Sequence, residues 1–315
     1  MSVVPAEFSL IARHFKPLAG NGSLGLTDDA AVVTPPSGRE LVISADAMVQ
    51  GVHFLPDDKP DLVARKLLRT NLSDLAAMGA APWAYLLTVS APRDTPDTWF
   101  AGFAAGLAHD QCEYGISLLG GDTTSTPGPI SLSVTILGTV AAGQAIRRST
   151  ARDGDGIWVS GTIGDGALGL LAATGRHPDP TGFLADRYRL PRPRLGLACQ
   201  PWVNAAMDVS DGLVQDLGHL CRESGLAAEL HAGLVPLSDP AHADALVLCL
   251  TGGDDYELLM AVAPAHAVGF QAHAAALGLA VTRVGRFLAG VPDVTLLDAQ
   301  GHPMTLPRTG WSHFA

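Results

Sequence analysis

The sequence predicts an α/β protein built as two domains, each a mixed sheet covered by helices. Its 315 residues are enough for two separate cores. Apolar residues along the chain switch repeatedly between strand-like runs and helical spacing. A polar, Gly-bearing stretch from Ala141 to Asp155, carrying Arg147, Arg148 and Arg152, divides two such series. The predicted domains are therefore 1–143 and 150–315. With 47% hydrophobic and 16% charged residues, the chain has the composition of a soluble globular protein.

Residues 5–15 predict a short helix, followed by a Gly-rich loop from Gly20 to Gly25 and then Thr27-Asp28-Asp29-Ala30-Ala31-Val32-Val33. Two adjacent aspartates cannot both enter a dry core without counter-charge. Leu41 to Met48 predicts a strand ending in Ser44-Ala45-Asp46. A loop with His53 between apolar neighbours comes next, and a lone histidine of this kind is more often a packed residue than a ligand. From Lys59 to Gly79, Leu62, Val63, Leu67, Leu68, Leu72, Leu75 and Met78 recur at helical spacing. Asn71, Ser73 and Asp74 are the polar exceptions in its last turns, where a carboxylate needs a cation or hydrogen bonds. A strand (84–90), a helix (96–114) and a strand running from Ile116 into Gly120-Gly121-Asp122 follow. Glycines there let the backbone approach a bulky anion, though a Gly-Gly-Asp turn is also an ordinary loop. Residues 130–140 alternate strongly, as a strand does.

In the second half, Ile157–Ser160 predicts a strand and Gly161-Thr162-Ile163-Gly164-Asp165-Gly166 opens a helix. Such a turn suits either a phosphate cradle or plain tight strand-to-helix geometry. Residues 176–194, rich in Arg and Pro, predict an exposed loop with a short helix. In Met207-Asp208-Val209-Ser210-Asp211-Gly212, a strand would carry Asp208 and Ser210 on one face, with Asp211 capping the next helix. Thr251-Gly252-Gly253-Asp254-Asp255-Tyr256-Glu257 repeats the theme of glycines and acids before an apolar strand. A helix near 266–277 and strands near 281–288 and 293–298 complete the series.

The net charge of −11 removes the basic field that a nucleic-acid partner requires. Four scattered cysteines without a CxxC pair argue against a zinc site and suit a reducing compartment. No basic-then-apolar leader and no run of about 18 apolar residues is present, which predicts a cytoplasmic protein off the membrane. Of the 31 acids, 25 are Asp. Asp28, Asp29, Asp46, Asp74, Asp122, Asp208 and Asp211 lie beside glycine or within apolar segments, at or near predicted junctions of regular elements. Hard oxygen donors without Cys pairs or a His cluster point to Mg2+, and several such ions would hold a polyphosphate. The G-x-x-x-x-G-K-[ST] loop is missing, so phosphate charge must be met by metal, Arg and backbone N–H groups.

Taken in order, TDDAAVV, SADAMVQGVHF, NLSDLAAMGA, GGDTT, MDVSDGL, GGDDYELL and the terminal WSHF resemble the thiamine-monophosphate kinase family. That family belongs with aminoimidazole-ribonucleotide synthetase and selenophosphate synthetase, and the motifs span residues 7–314. The resemblance implies their two-domain fold, with an N-terminal ATP- and Mg-binding, dimerising domain and a C-terminal domain completing the site in a homodimer. It also implies transfer of the ATP γ-phosphate to thiamine monophosphate. By motif, Asp29, Ser44, Ala45 (through its carbonyl), Asp46, Asp74, Asp122, Asp208 and Asp211 would hold Mg2+. Gly121, Asp122, Arg148 and Ser210 would contact ATP, while His53, Asp254 and Trp311 would line the thiamine phosphate pocket.

Three positions depart from the family pattern. Thr27 replaces a usual Gly, Ala45 a common Thr, and Asp254 a usual Glu, which shortens its reach by one methylene. A phosphate monoester acceptor is largely ionised near neutrality, its second pKa being about 6, so no general base is expected. The alternatives are another ATP-using enzyme of the same superfamily and a non-catalytic Mg-nucleotide-binding protein.

Overall fold

Where the apolar pattern has period 2 the chain forms strands, and where it follows helical spacing it forms the covering helices. The computed structural model describes residues 6–239 and 244–312. It divides into two compact units, Met1–Leu75 with Ala81–Gly143, and Ala76–Ala80 with Gln144–Ala315.

In the first unit α1 (Ala6–Leu10) passes into a π-helical turn, so the predicted helix changes pitch halfway. Then come β1 (Arg39–Val49), α2 (Pro60–Ala77), β2 (Ala81–Ala91), α3 (Asp97–Tyr114), β3 (Ser117–Ser125) and β4 (Ser131–Ala141). The sheet order is β1-β4-β2-β3. β4 pairs antiparallel with β1 and β2, whereas β2 and β3 are parallel and need the α3 crossover between them. Pro60 opens α2, where a missing N–H costs nothing. Leu67, Leu68, Leu72 and Leu75 of α2 are fully buried, as are Tyr85, Val134 and Ile136 of the sheet. Asp110 of α3, also fully buried, accepts from Arg65 Nε at 2.9 Å and Arg69 Nε at 2.7 Å and so ties α3 to α2. The opposite sheet face is open and carries Leu41, Ile43 and Leu86 exposed.

The second unit contains β5 (Gly156–Ser160), α4 (Asp165–Ala173), α5 (Phe183–Arg189), β6 (Ala205–Asp208), α6 (Leu213–Ser224), β7 (Ala227–His231), α7 (Leu246–Thr251), β8 (Leu258–Val262), α8 (Ala267–Ala276), β9 (Val281–Leu288) and β10 (Val294–Leu297). Its six strands are ordered β10-β7-β9-β5-β8-β6, with only β10 and β7 parallel. Alternate residues of β5 and β8 enter two cores. Ile157, Val159, Leu259 and Ala261 meet Leu213, Leu217 and Leu220 of α6. Trp158, Leu258 and Met260 meet Phe270 of α8, whose ring stands edge-on to Trp158 at 5.6 Å. Both faces are covered, which is why β5 and β8 are continuous apolar runs.

Several local expectations change. Asp46 lies in the last residues of β1, Asp74 in the last turn of α2 and Asp122 near the end of β3, so these acids belong to regular elements close to their ends and not to the loops beyond them. β3 runs straight through Gly120-Gly121-Asp122 to Ser125, because pairing with β2 continues to Ala91. β6 ends at Asp208, leaving Ser210 in the following loop. The 176–194 segment is less exposed than its Arg and Pro content suggests: Leu184, Arg187 and Tyr188 are buried. Among the described residues, no helix is long and apolar enough to cross a membrane.

Candidate functional site

Period 2 in β1 and the three-residue spacing of α2 bring four polar side chains together. Ser44 and Asp46 share the helix-facing side of the strand, opposite Asn71 and Asp74. Ser44 Oγ donates to Asp74 Oδ2 at 2.5 Å. Asn71 is fully buried, accepting the Asp46 N–H at 3.2 Å and donating to Leu67 O at 2.9 Å. Ala45 alternates onto the other face, so only its backbone can join this group. The Asp46 carboxylate meets no donor among the described residues, and loss of water around it raises its pKa. Carboxylates in that condition suit a cation.

Nearby in sequence, His53 Nδ1 accepts the Val49 N–H at 2.9 Å, which places the proton of the neutral ring on Nε2. Lys66 Nζ donates to the His53 carbonyl at 2.9 Å and fixes the turn. A second constellation of the first unit surrounds a cavity of about 530 Å³, lined by Asp28, Asp29, Gly121 and Asp122 with Phe15 and Leu118. Gly121 is obligatory there: a Cβ would stand 1.7 Å from Leu87 O. Asp29 and Asp122 are exposed at this cavity, and Asp28 and Asp29 occupy an irregular bend.

In the second unit, the loop after β6 carries Asp208, Ser210 and Asp211. Asp211 does not cap α6, since Gly212 is the N-cap residue. Instead Asp216, one turn into the helix, reaches back and accepts the N–H groups of Ser210, Asp211 and Gly212, each at 3.1 Å. Burial, then the Asp211 charge, push the Asp216 carboxyl up to about 7 against the pull of those bonds. Asp254 donates its N–H to Ser210 O at 2.9 Å, and Trp311 donates its N–H to Asp211 O at 2.9 Å. Asp208, Ser210, Asp211, Asp254 and Trp311 thus converge. The Trp311 backbone N–H is docked while the residue as a whole stays 49% exposed. His313 and Phe314 of the terminal motif lie outside the described residues. Arg148 is exposed beside α6, its carbonyl accepting from Ser224 Oγ at 2.8 Å.

The glycine-rich turn before α4 is not an open phosphate cradle. Its Gly164 and Gly166 N–H groups donate to Oδ2 and Oδ1 of fully enclosed Asp255, at 2.8 and 2.9 Å. Burial pushes this carboxyl up to about 8, outweighing the two N–H bonds. In both glycine-bearing loops the chain's own carboxylates consume these backbone donors. Phosphate charge is left to other groups, among them exposed arginines such as Arg148 and bound cations.

Among the described residues, one trio of His, Cys, Asp or Glu ligand atoms lies within 4.8 Å, namely His109, Asp110 and Glu113. Arg65 and Arg69 already hold its carboxylates, so it is an ion-pair network. The expected metal-binding acids do not form such a trio. Each of their groups offers oxygen donors alone, the chemistry of a hard divalent ion. Asn71, Asp216, Asp255 and Glu257 were not anticipated as site-building residues. For Asp216 a signal existed, a carboxylate in the first turn of a helix after Ser-Asp-Gly.

Residues 27–140 match the family of AIR synthase related protein, N-terminal domain, and residues 152–296 match its C-terminal domain. Thiamine-monophosphate kinase of Caulobacter vibrioides is 44% identical, over 98% of this chain and 91% of its own. The crystal structure of thiamine-monophosphate kinase from Stenotrophomonas maltophilia K279a matches with a TM-score of 0.82 at 39% identity, covering 95% of this chain and 98% of that one. AaThiL complexed with AMPPCP and TMP matches with a TM-score of 0.76 at 29% identity, over 91% of each chain. With its two matched domains and its near full-length identity to these enzymes, the chain belongs to the thiamine-monophosphate kinase family of AIR synthase related proteins.

Proposed function

We propose that this chain transfers the γ-phosphate of ATP to thiamine monophosphate, yielding thiamine diphosphate and ADP. The observation that carries this reading is the similarity to AaThiL, a structure holding an ATP analogue, AMPPCP, together with TMP. Asp29, Ser44, Ala45, Asp46, Asp74, Asp122, Asp208 and Asp211 are assigned to Mg2+, several ions in all. Bound Mg2+ would offset the repulsion between two multiply charged phosphates and polarise the transferring group.

The chain's own part is positioning. Asn71 fixes the backbone at Asp46 one helical turn before Asp74, and the Ser44 hydroxyl orients the Asp74 carboxylate. Gly121, Asp122, Arg148 and Ser210 are assigned to ATP. His53, Asp254 and Trp311 are assigned to thiamine monophosphate. The half-exposed Trp311 offers an aromatic face to the cationic thiazolium. Because the acceptor phosphate is already an anion, no side chain has to abstract a proton.

A homodimer in the cytoplasm completes the reading. Leu41, Ile43 and Leu86, exposed on one sheet face, support self-association. Four free cysteines support a reducing compartment.

The test is to incubate purified protein with ATP, Mg2+ and thiamine monophosphate and separate the thiamine species. Thiamine diphosphate should appear in step with ADP. It should be absent when free thiamine replaces the monophosphate or when a chelator removes the metal. ATP binding without thiamine diphosphate would overturn the proposal.

A further inference from the structure

The Gly252–Glu257 segment holds two non-glycine residues in the left-handed backbone region, Asp254 at φ 70° and Tyr256 at φ 51°. L-residues persist there only when their surroundings over-determine the conformation. The alternate residues of the segment supply that constraint. Asp255 spans Gly164 N–H and Gly166 N–H with its two oxygens, filling the anion seat of α4 from inside the protein. Its carbonyl accepts from Arg187 Nη2 at 3.1 Å, and the same nitrogen donates to Glu257 Oε1 at 2.9 Å. Glu257, fully buried, also accepts from Ser160 Oγ at 2.6 Å and from the Arg194 guanidinium, with Arg194 Nε at 2.6 Å. The contact between segment and helix is tight: a Cβ on Gly166 would meet Asp254 C and O at 2.3 Å. Alternating with these two anchored carboxylates, Asp254 and Tyr256 hydrogen-bond through their N–H groups to Ser210 O and Val209 O.

We infer that Asp255 is a positioning residue for the thiamine phosphate pocket, an internal carboxyl group that seats the segment on α4 and so sets where Asp254 points. This rests on the kinase reading above and deepens it. Asn at this position offers one acceptor oxygen where two N–H groups must be met, and its NH2 would face a donor. The consequence is a shifted segment with the rest of the unit intact.

The experiment measures thiamine diphosphate formation by wild type and Asp255→Asn, with separate KM values for thiamine monophosphate and ATP. Thermal melting and calorimetric binding of thiamine monophosphate are followed in parallel. The expected result is a rise in KM and Kd for thiamine monophosphate of about 10-fold or more, the usual scale for loss of a supporting partner, with KM for ATP within about 2-fold. An unchanged KM for thiamine monophosphate, or equal rises for both substrates, overturns the inference. Should Asp255→Asn not fold, Arg194→Gln loosens the same segment from its more exposed side, and the same split between substrates decides. If wild type itself neither binds nor phosphorylates thiamine monophosphate, the kinase reading fails and this inference with it. A failure confined to the variants leaves the kinase reading standing.

Discussion

Adjacent aspartates in this chain do different work because their surroundings differ. Asp254 and Asp255 are neighbours, yet one is partly open at φ 70° and the other is enclosed by two N–H donors. Asp74 and Asp208 are the acids whose loss tests the metal assignment most cleanly. Asp74→Asn keeps an acceptor for Ser44, and Asp208→Asn keeps the size and one acceptor oxygen of a buried side chain, so both variants should melt close to wild type. Their turnover should fall by orders of magnitude in the thiamine diphosphate assay, and wild-type turnover in both would remove the metal role. Asp254→Gly separates backbone from side chain. Glycine relieves the left-handed strain, which costs roughly 1–2 kcal/mol for an L-residue. The melting temperature should therefore hold or rise while KM for thiamine monophosphate increases.

At the scale of elements, the β2–β3 pair depends on one missing side chain. Gly121→Ala places a methyl group 1.7 Å from Leu87 O, and no side-chain rotation can relieve a clash with backbone. The strands must separate at Asp122, so the variant should lose more than about 2 kcal/mol in urea unfolding, among the larger effects expected of a point change. ATP binding should weaken with it. α2 and α3 are joined through Asp110, Arg65 and Arg69, a buried network that fixes the helix carrying Asn71 and Asp74. Such a network stabilises little net of its desolvation cost, but breaking it leaves an unmet charge worth about 3–5 kcal/mol. Much of this scale was legible in the sequence. The α2 stripe from Leu62 to Met78 and the alternation in β4 are local patterns, and local patterns survive folding unchanged. The end of β6 and the continuation of β3 were not legible, because pairing with β8 and β2 decides them.

For the whole molecule, the buried acids give stability a definite pH dependence. Asp255 is raised to about 8 and Asp216 to about 7, each chiefly by burial, from an ordinary value of 3.8. Between the unfolded and folded values the native state binds protons that the unfolded chain has released, so the unfolding free energy falls as pH rises. The net charge of −11 adds repulsion in the same direction. Urea midpoints measured without metal should therefore decline from about pH 5 to about pH 8, given these two groups. A midpoint that stays level or rises over that window would contradict the raised values of the two carboxyls. The sequence by itself determined the α/β character, the strands and helices that carry the acids, and an oxygen-rich donor set without thiolates. These follow from residue type and from spacing along a few turns of chain. Only the tertiary structure decided which acids face a possible ligand and which are consumed inside. Asp255 is told apart from Asp254 by burial and by the N–H groups of Gly164 and Gly166, far off in sequence, which no local pattern contains. Asp216 takes its N–H groups from Ser210, Asp211 and Gly212 just before it, and for that residue only the burial is tertiary.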